Sequence, residues 1–242
     1  MSVKDKVIII TGASSGIGLA TAELLAKDGA KLTLAARHVD KLAEFEKYGD
    51  QVLVKQTDVA EADQVQELVD QTVAKFGRVD VIFNNAGIMP VSYLSERRIN
   101  DWQQIMQTNV MGVLNGIAAV LPYMEEQNSG HIITTGSTAA YKVFPKFAVY
   151  SASKFAVRAL MEGLRFEERE HNIKSTLISP GTTVTNLVNT IPGEADREDE
   201  RRVQQSASLT AEEVAEVVKQ VIDTPDNLAV SEIHVRPVKQ LA

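Results

Sequence analysis

Apolar residues along this chain fall into two alternating rhythms. Strand-like runs, most of them continuous in Val, Ile and Leu, occupy residues 7–11, 31–36, 52–56, 79–83, 130–135, 174–179 and 228–235. Such runs suit strands covered on both faces of a parallel sheet. Between them, apolar residues recur at three- and four-residue spacing, the period of an amphipathic helix. Ile17, Ala20, Leu24 and Leu25 form one stripe, stopped by Gly29, and Val65, Leu68, Val69, Thr72, Val73 and Phe76 form another, closed by Gly77. The spacing predicts longer helices over 99–123 and 148–170 and a last one over 211–222. The alternation predicts an α/β fold, a single doubly wound domain spanning 1–242 with about seven parallel strands and helices on both faces. The least regular stretch is 182–208, read as a substrate lid; its "EADREDERR" run at 194–202 reads as a solvated helix face or mobile loop.

Composition narrows the options. Hydrophobic residues make up 44% of the 242 positions, enough for a sizeable core. No stretch of about 18 apolar residues is evident, and the first strand begins near the start of the sequence, so neither a membrane span nor a signal peptide is expected. With no cysteine, disulfides and thiolate metal sites are excluded, and the cytoplasm is the expected compartment. A net charge of −7 with dispersed Lys and Arg argues against nucleic acid or an anionic membrane as partner. His38, His131, His171 and His234 are scattered with no ligand spacing, so no metal site is expected.

In doubly wound sheets ligands bind at the carboxyl ends of the strands. Here those ends carry Gly12, Gly16 and Gly18, then Arg37, Asp58-Val59, Asn85-Ala86-Gly87, Ser137, and Pro180-Gly181. Together they predict an extended cleft for a long polar ligand. Gly12-Ala13-Ser14-Ser15-Gly16 also fits G-x-S-x-G, the nucleophile elbow of serine hydrolases. That reading lacks a strand before the elbow for an oxyanion loop, places His234 inside a strand, and leaves Gly18 unexplained. A dinucleotide loop of Rossmann type uses all three glycines: one for the turn, one for close approach of a phosphate, one for helix packing against the strand.

"YSASKFAV" opens the helix after the fifth strand and sets Tyr150 and Lys154 four apart, on one helix face. A neighbouring ammonium is expected to lower the phenol's pKa and make Tyr150 a usable acid or base. Ser137 is placed to hydrogen-bond the oxygen that gains charge.

"TGASSGIG", "NNAG", "TNVMG", Ser137, "YSASK" and "SPG" occur in one order, with thirteen positions from Ser137 to Tyr150. In this set the chain resembles the short-chain dehydrogenase/reductase family over almost its whole length. The resemblance implies catalytic roles for Asn109, Ser137, Tyr150 and Lys154. Tyr150 would be the acid in carbonyl reduction and the base in alcohol oxidation. Lys154 would lower its pKa and bind the nicotinamide ribose, Ser137 would hold the substrate oxygen, and Asn109 would kink its helix and bind a water. It implies cofactor contacts by Gly12, Ser14, Ser15, Gly16, Ile17 and Gly18 in the first loop. Asp58 and Val59 would border the adenine, and Asn85, Ala86 and Gly87 its ribose. Pro180 and Gly181 would pass over the nicotinamide, with Thr183 or Thr185 reaching its carboxamide or the phosphates. The family writes an aliphatic residue where this chain has Thr183.

An NAD enzyme usually ends its second strand on an acid that accepts the ribose 2′-hydroxyl. Here "LTLAARHVDKL" supplies Ala36 and then Arg37, whose planar fork suits a 2′-phosphate, so NADP(H) is the expected cofactor. Met89, Tyr93, residues 138–143, Phe144, Phe147 and residues 182–208 are the expected substrate wall. Arg97, Arg98 and the arginines of 197–202 are candidates to swing in. The ending "NLAVSEIHVRPVKQLA", without a glycine pair, resembles the clavulanate-type and broad-specificity hydroxy acid and aldehyde reductases of the family. A small carbonyl or alcohol substrate follows, and a homo-oligomer (tetramer or dimer) built through the long helices and last strand. The alternatives are an NAD-dependent alcohol or hydroxy acid dehydrogenase, and a non-catalytic NADP-binding sensor; an intact Asn109, Ser137, Tyr150 and Lys154 argues against the sensor.

Overall fold

A computed structural model describes residues 3–240. The strand-like runs become strands β1 (Val7–Thr11), β2 (Lys31–Ala36), β3 (Val52–Gln56), β4 (Val81–Asn84), β5 (Gly130–Thr135), β6 (Ile173–Pro180) and β7 (Glu232–Val235). They form one sheet in the order β3-β2-β1-β4-β5-β6-β7, and every pairing is parallel. Strand order reverses between β1 and β4, which opens a crevice at their carboxyl ends.

Side chains alternate across a strand, so one strand feeds two cores. Ile8 and Ile10 of β1 pack with Leu25 of α1 (Gly16–Lys27) and Val214 and Val218 of α7 (Ala211–Ile222). Ile9, between them, packs on the opposite face with α2 (Ala62–Phe76), α4 (Gly112–Gln127) and α5 (Ala148–Glu167), through Leu68, Val120 and Val157. This two-sided burial explains the absence of polar alternation in β1. Each such Ile or Leu contributes roughly 1.5–3 kcal/mol on leaving water.

Several expected boundaries shift. β4 starts at Val81, because the backbone N–H of Val79 bonds to the Gln127 Oε1 at 3.1 Å. The last run joins the sheet only from Glu232; upstream, the Val230 carbonyl is taken by the Thr176 hydroxyl at 2.6 Å. Residues 40–51, for which no element is evident in the sequence, wind into 3₁₀ turns that bury Leu42 and Phe45. The helix expected over 148–170 stops at Glu167, and the charged run at 194–202 is solvated α6 (Glu194–Ser206).

The helix expected over 99–123 is three pieces in one line: α3 (Ile99–Met106), a π-turn (Gln107–Met111) and α4. Its full span, Ile99–Gln127, is long and apolar enough by composition to cross a bilayer, which corrects the expectation that no such stretch exists. It is instead a core helix, with Val113, Ile117, Val120 and Met124 buried against the sheet.

His131 on β5 is buried, and its Nε2 lies 2.8 Å from the Thr176 hydroxyl. That hydroxyl already donates to Val230, so Nε2 must be the donor and Nδ1 is left unprotonated, buried and without a partner. Burial, reinforced by the charges of Lys174 and Lys6, lowers its pKa from 6.5 to about 3. Unfolded, the ring takes a proton near pH 6.5; folded, it does not until about pH 3, so stability is lost as pH falls through that window. The expected loss from this ring at pH 5 is about 2 kcal/mol. Denaturant titrations at pH 7.5 and 5.0 should show His131→Val losing about that much less than the parent; equal losses would refute the assignment.

Candidate active site

The loop from β1 into α1 lies at the reversal of strand order. Gly12 (φ +64°) and Gly16 (φ +54°) adopt the left-handed conformation that its turn requires. A Cβ on Gly12 would lie 2.9 Å from the Ala86 Cα. One on Gly18 would lie 2.4 Å from the Gly12 carbonyl oxygen and 2.6 Å from Asn85 Nδ2. Only bare backbone allows this packing. α1 has no acid in its first turn and no side-chain cap, so its first N–H groups and partial positive charge face the crevice unanswered.

Hydrogen bonds lock the strand ends together. Asn85 and Ala86 donate their N–H groups to the Thr11 hydroxyl at 3.0 and 3.1 Å. Asn85 Nδ2 donates to the Thr11 carbonyl at 3.1 Å, and its Oδ1 accepts from the Thr135 hydroxyl at 3.1 Å. The Asn85 side chain is thus a brace between β1, β4 and β5.

Along this edge runs a cavity of about 680 Å³, within the usual range for ligand pockets. Gly12, Ser14, Ser15, Gly16 and Ile17 line its centre. Arg37, Asp58 and Val59, beyond β2 and β3, line the arm on one side of that loop. Asn85, Ala86 and Gly87 beyond β4, with Ser137, Tyr150, Lys154, Pro180, Gly181, Thr183 and Thr185, line the other. Two of the expected residues do not reach it. Gly18 sits behind the loop, where it allows helix packing. Asn109, in the π-turn, is fully buried behind the wall. Its Oδ1 accepts from Ile88 N at 2.9 Å, while its Nδ2 donates to the Ile88 carbonyl at 2.9 Å and to Ser153 Oγ at 3.2 Å. With both donors committed, Asn109 clamps the chain after β4 to the helix. The π-turn is a widened coil, of the kind that recurs at functional sites.

Tyr150 and Lys154 lie on the buried face of α5, with the Lys154 Nζ 5.8 Å from the Tyr150 ring centroid. The ammonium donates to the Thr135 carbonyl at 2.7 Å and forms no hydrogen bond with the phenolic oxygen among the described residues. Burial lowers its pKa to about 8. Burial pushes the Tyr150 phenol up to about 12; a hydrogen bond with Ser137 acts downward, and the Glu200 charge acts upward. The expected depression of the phenol by Lys154 is therefore corrected. Desolvation dominates, and the chain alone presents Tyr150 as a protonated donor. Ser137 Oγ also accepts from Ala139 N at 3.0 Å, which fixes its rotamer at the cavity wall.

Among the described residues the nucleophile-elbow reading has no partner for Ser14. His234 stands on β7, four strands from β1, or about 19 Å at the spacing of a sheet. Its ring packs on Tyr141 at a centroid distance of 4.2 Å.

Beyond these residues, Met89, Thr138, Ala139, Phe144 and Phe147 line the cavity as expected; Tyr93, residues 140–143 and the five candidate arginines do not. Arg98 pairs with Asp101 and Arg202 with Asp199, while Arg197 and Arg201 bond to the Pro192 carbonyl and Asn189 Oδ1. α6 instead turns Glu200, Val203 and Gln204 into the cavity. It is tied down by the Lys146–Asp196 ion pair and by Gln204 Nε2 donating to the Thr183 carbonyl at 3.1 Å. Lys239 and Gln240, missed in the sequence, also line the cavity; Gln240 Oε1 accepts from Thr182 N at 3.1 Å. No spacing within 227–242 signals that contact. Glu125, Glu168 and His171 gather within 4.8 Å of one another, outside the cavity.

A family model described as short chain dehydrogenase matches residues 6–196. An uncharacterized oxidoreductase of Staphylococcus saprophyticus is 44% identical over 243 residues, covering 99% of this chain and 98% of the relative. Among solved structures, the closed form of a serine dehydrogenase complexed with NADP+ superposes with a TM-score of 0.91 at 30% identity, covering 97% of this chain and 96% of that one. A short-chain dehydrogenase/reductase from Burkholderia phymatum in complex with NAD superposes with a TM-score of 0.87 at 32% identity, covering 97% and 90%.

Proposed function

The chain belongs to the short-chain dehydrogenase family and is an NAD(P)-dependent oxidoreductase of CH–OH groups; from that premise we propose that it uses NADP(H) to interconvert a ketone or aldehyde with its alcohol. The observation that carries this reading is one cavity with Arg37 in one arm and Ser137, Tyr150 and Lys154 in the other. NADPH supplies a hydride to the carbonyl carbon in reduction, and NADP+ accepts it in oxidation.

The residues present fit that cofactor. The bare loop at Gly12 and Gly16 and the uncapped start of α1 suit a pyrophosphate, which Ser14, Ser15 and Ile17 would contact. Arg37 is exposed and forms no ion pair among the described residues, so its fork is available to a 2′-phosphate; Ala36 offers no carboxylate to repel it. Asp58 and Val59 would border the adenine, Asn85, Ala86 and Gly87 its ribose, and Pro180, Gly181, Thr183 and Thr185 the nicotinamide side.

Tyr150 donates the proton to the carbonyl oxygen in reduction, a role suited to a phenol that burial keeps protonated. Ser137 holds that oxygen in line. Lys154, held on the Thr135 carbonyl, would bind the nicotinamide ribose, and Asn109 keeps the wall behind it rigid. We assign the protein to the cytoplasm. Apolar Met106, Met111 and Phe155, exposed on the long helices, support a homo-oligomer.

The test is kcat/KM for NADPH and NADH against a panel of ketones and aldehydes, followed at the reduced-nicotinamide absorbance. NADPH should lead by at least about tenfold, one charge-assisted contact at roughly 1.5–3 kcal/mol. Preference for NADH would assign the NAD-dependent alternative, and cofactor binding without turnover would assign the sensor.

A further inference from the structure

We infer that the carboxylate of Glu200 selects a substrate that carries a cationic amino group beside its carbonyl or alcohol. The inference rests on the redox reading above and names the class of molecule that site takes.

α6 looks uniformly charged in sequence, but its helical period separates two faces. Glu194, Glu198, Asp199, Arg201 and Arg202 are exposed, whereas Asp196, Arg197, Glu200 and Gln204 are half-buried. Within that inner stripe, Asp196 is paired with Lys146, Arg197 bonds to the Pro192 carbonyl, and Gln204 bonds to Thr183. Glu200 alone of the four has no ion pair or hydrogen bond among the described residues, and its side chain lines the cavity. The arm it enters is walled by Met89, Phe144, Phe147 and Val203. A carboxylate held there without a partner carries an uncompensated desolvation cost, and burial does raise the Glu200 pKa. None of the cations that share the cavity is paired with Glu200 among the described residues, Lys239 on the last segment included. Lys154 is held on the Thr135 carbonyl, and Arg37 and His38 line the arm that begins at the end of β2. An ammonium on the substrate would complete the pair.

The same geometry links recognition to chemistry. The Glu200 charge raises the Tyr150 phenol, so it lies near enough to be felt there. A bound cation neutralises that influence and makes Tyr150 a better proton donor. A substrate carboxylate would meet Glu200 as a like charge, which disfavours simple hydroxy acids.

The experiment compares 1-aminopropan-2-ol with butan-2-ol, in which a methyl replaces the ammonium, and with lactate, using the full chain and NADP+. Two readouts are taken: kcat/KM for oxidation, and calorimetric affinity for the enzyme–NADP+ complex. The parent should favour the amino alcohol over butan-2-ol by at least about tenfold in both, the scale of one charge-assisted contact. Glu200→Gln should bring that ratio to near one, while Glu198→Gln, which removes an exposed carboxylate from the same helix, should preserve it. A parent that favours butan-2-ol or lactate, or a ratio that survives Glu200→Gln, overturns the inference. Cation-selective binding without turnover of any alcohol or carbonyl would retain the role of Glu200 and reject the redox reading. Turnover without cation selectivity would do the reverse.

Discussion

Tyr150→Phe should lower kcat by about a thousandfold while changing NADPH affinity by no more than about twofold. The ring is buried on α5, edge-on to Phe147 at a centroid distance of 6.3 Å, so loss of one oxygen leaves its packing intact. What disappears is the proton that must reach the carbonyl oxygen as the hydride arrives, and a positioned acid is worth roughly 10²–10⁴ in rate. Lys154 cannot substitute, because its ammonium is held on the Thr135 carbonyl at 2.7 Å. Stopped-flow transfer of hydride together with titration of NADPH fluorescence separates the two effects. Substantial turnover by Tyr150→Phe would remove the phenol from the mechanism. Weakened NADPH binding with unchanged kcat would make it a binding residue only.

Arg37→Asp should shift the ratio of kcat/KM for NADPH over NADH by about a thousandfold, enough to invert it. Two contributions add in the same direction. The guanidinium contact with a 2′-phosphate is lost, at roughly 1.5–3 kcal/mol, and a carboxylate appears that repels that phosphate yet accepts from a ribose 2′-hydroxyl. Together about 4 kcal/mol corresponds to three decades. Arg37 is exposed at the end of β2, so the fold should tolerate the change. Initial rates with both cofactors on one carbonyl suffice, and a shift smaller than about tenfold would mean that another group, such as Lys239, reads the phosphate.

Much of this architecture could be read from the chain because two-sided burial leaves a plain imprint. β1 is entirely buried, so its run contains no polar interruption. Gly12 and Gly16 announce a left-handed turn, and the i, i+4 spacing puts Tyr150 and Lys154 on one face. Spacing could not reveal that Thr135 would hold the ammonium, and so the expected fall in the phenol pKa gave way to burial. Side-chain diversions of backbone donors, as at Val79 and Gln127, leave no local trace and moved the strand ends. The π-turn around Asn109 depends on a change of backbone hydrogen-bond register that residue propensities do not encode. In α6, heavy charge masked the inward stripe that includes Glu200; only counting by helical period separates it from its exposed neighbours. Lys239 and Gln240 lie far along the chain from the residues they join, and nothing in their surroundings foretells it.

α6 contributes no buried side chain to either core, and is fastened by the Lys146–Asp196 pair and a few hydrogen bonds. Its detachment therefore costs little hydrophobic energy and leans on an interaction that mobile ions weaken. Ionic strength therefore acts on this helix more than on the sheet: added salt should loosen α6 while the melting temperature hardly moves.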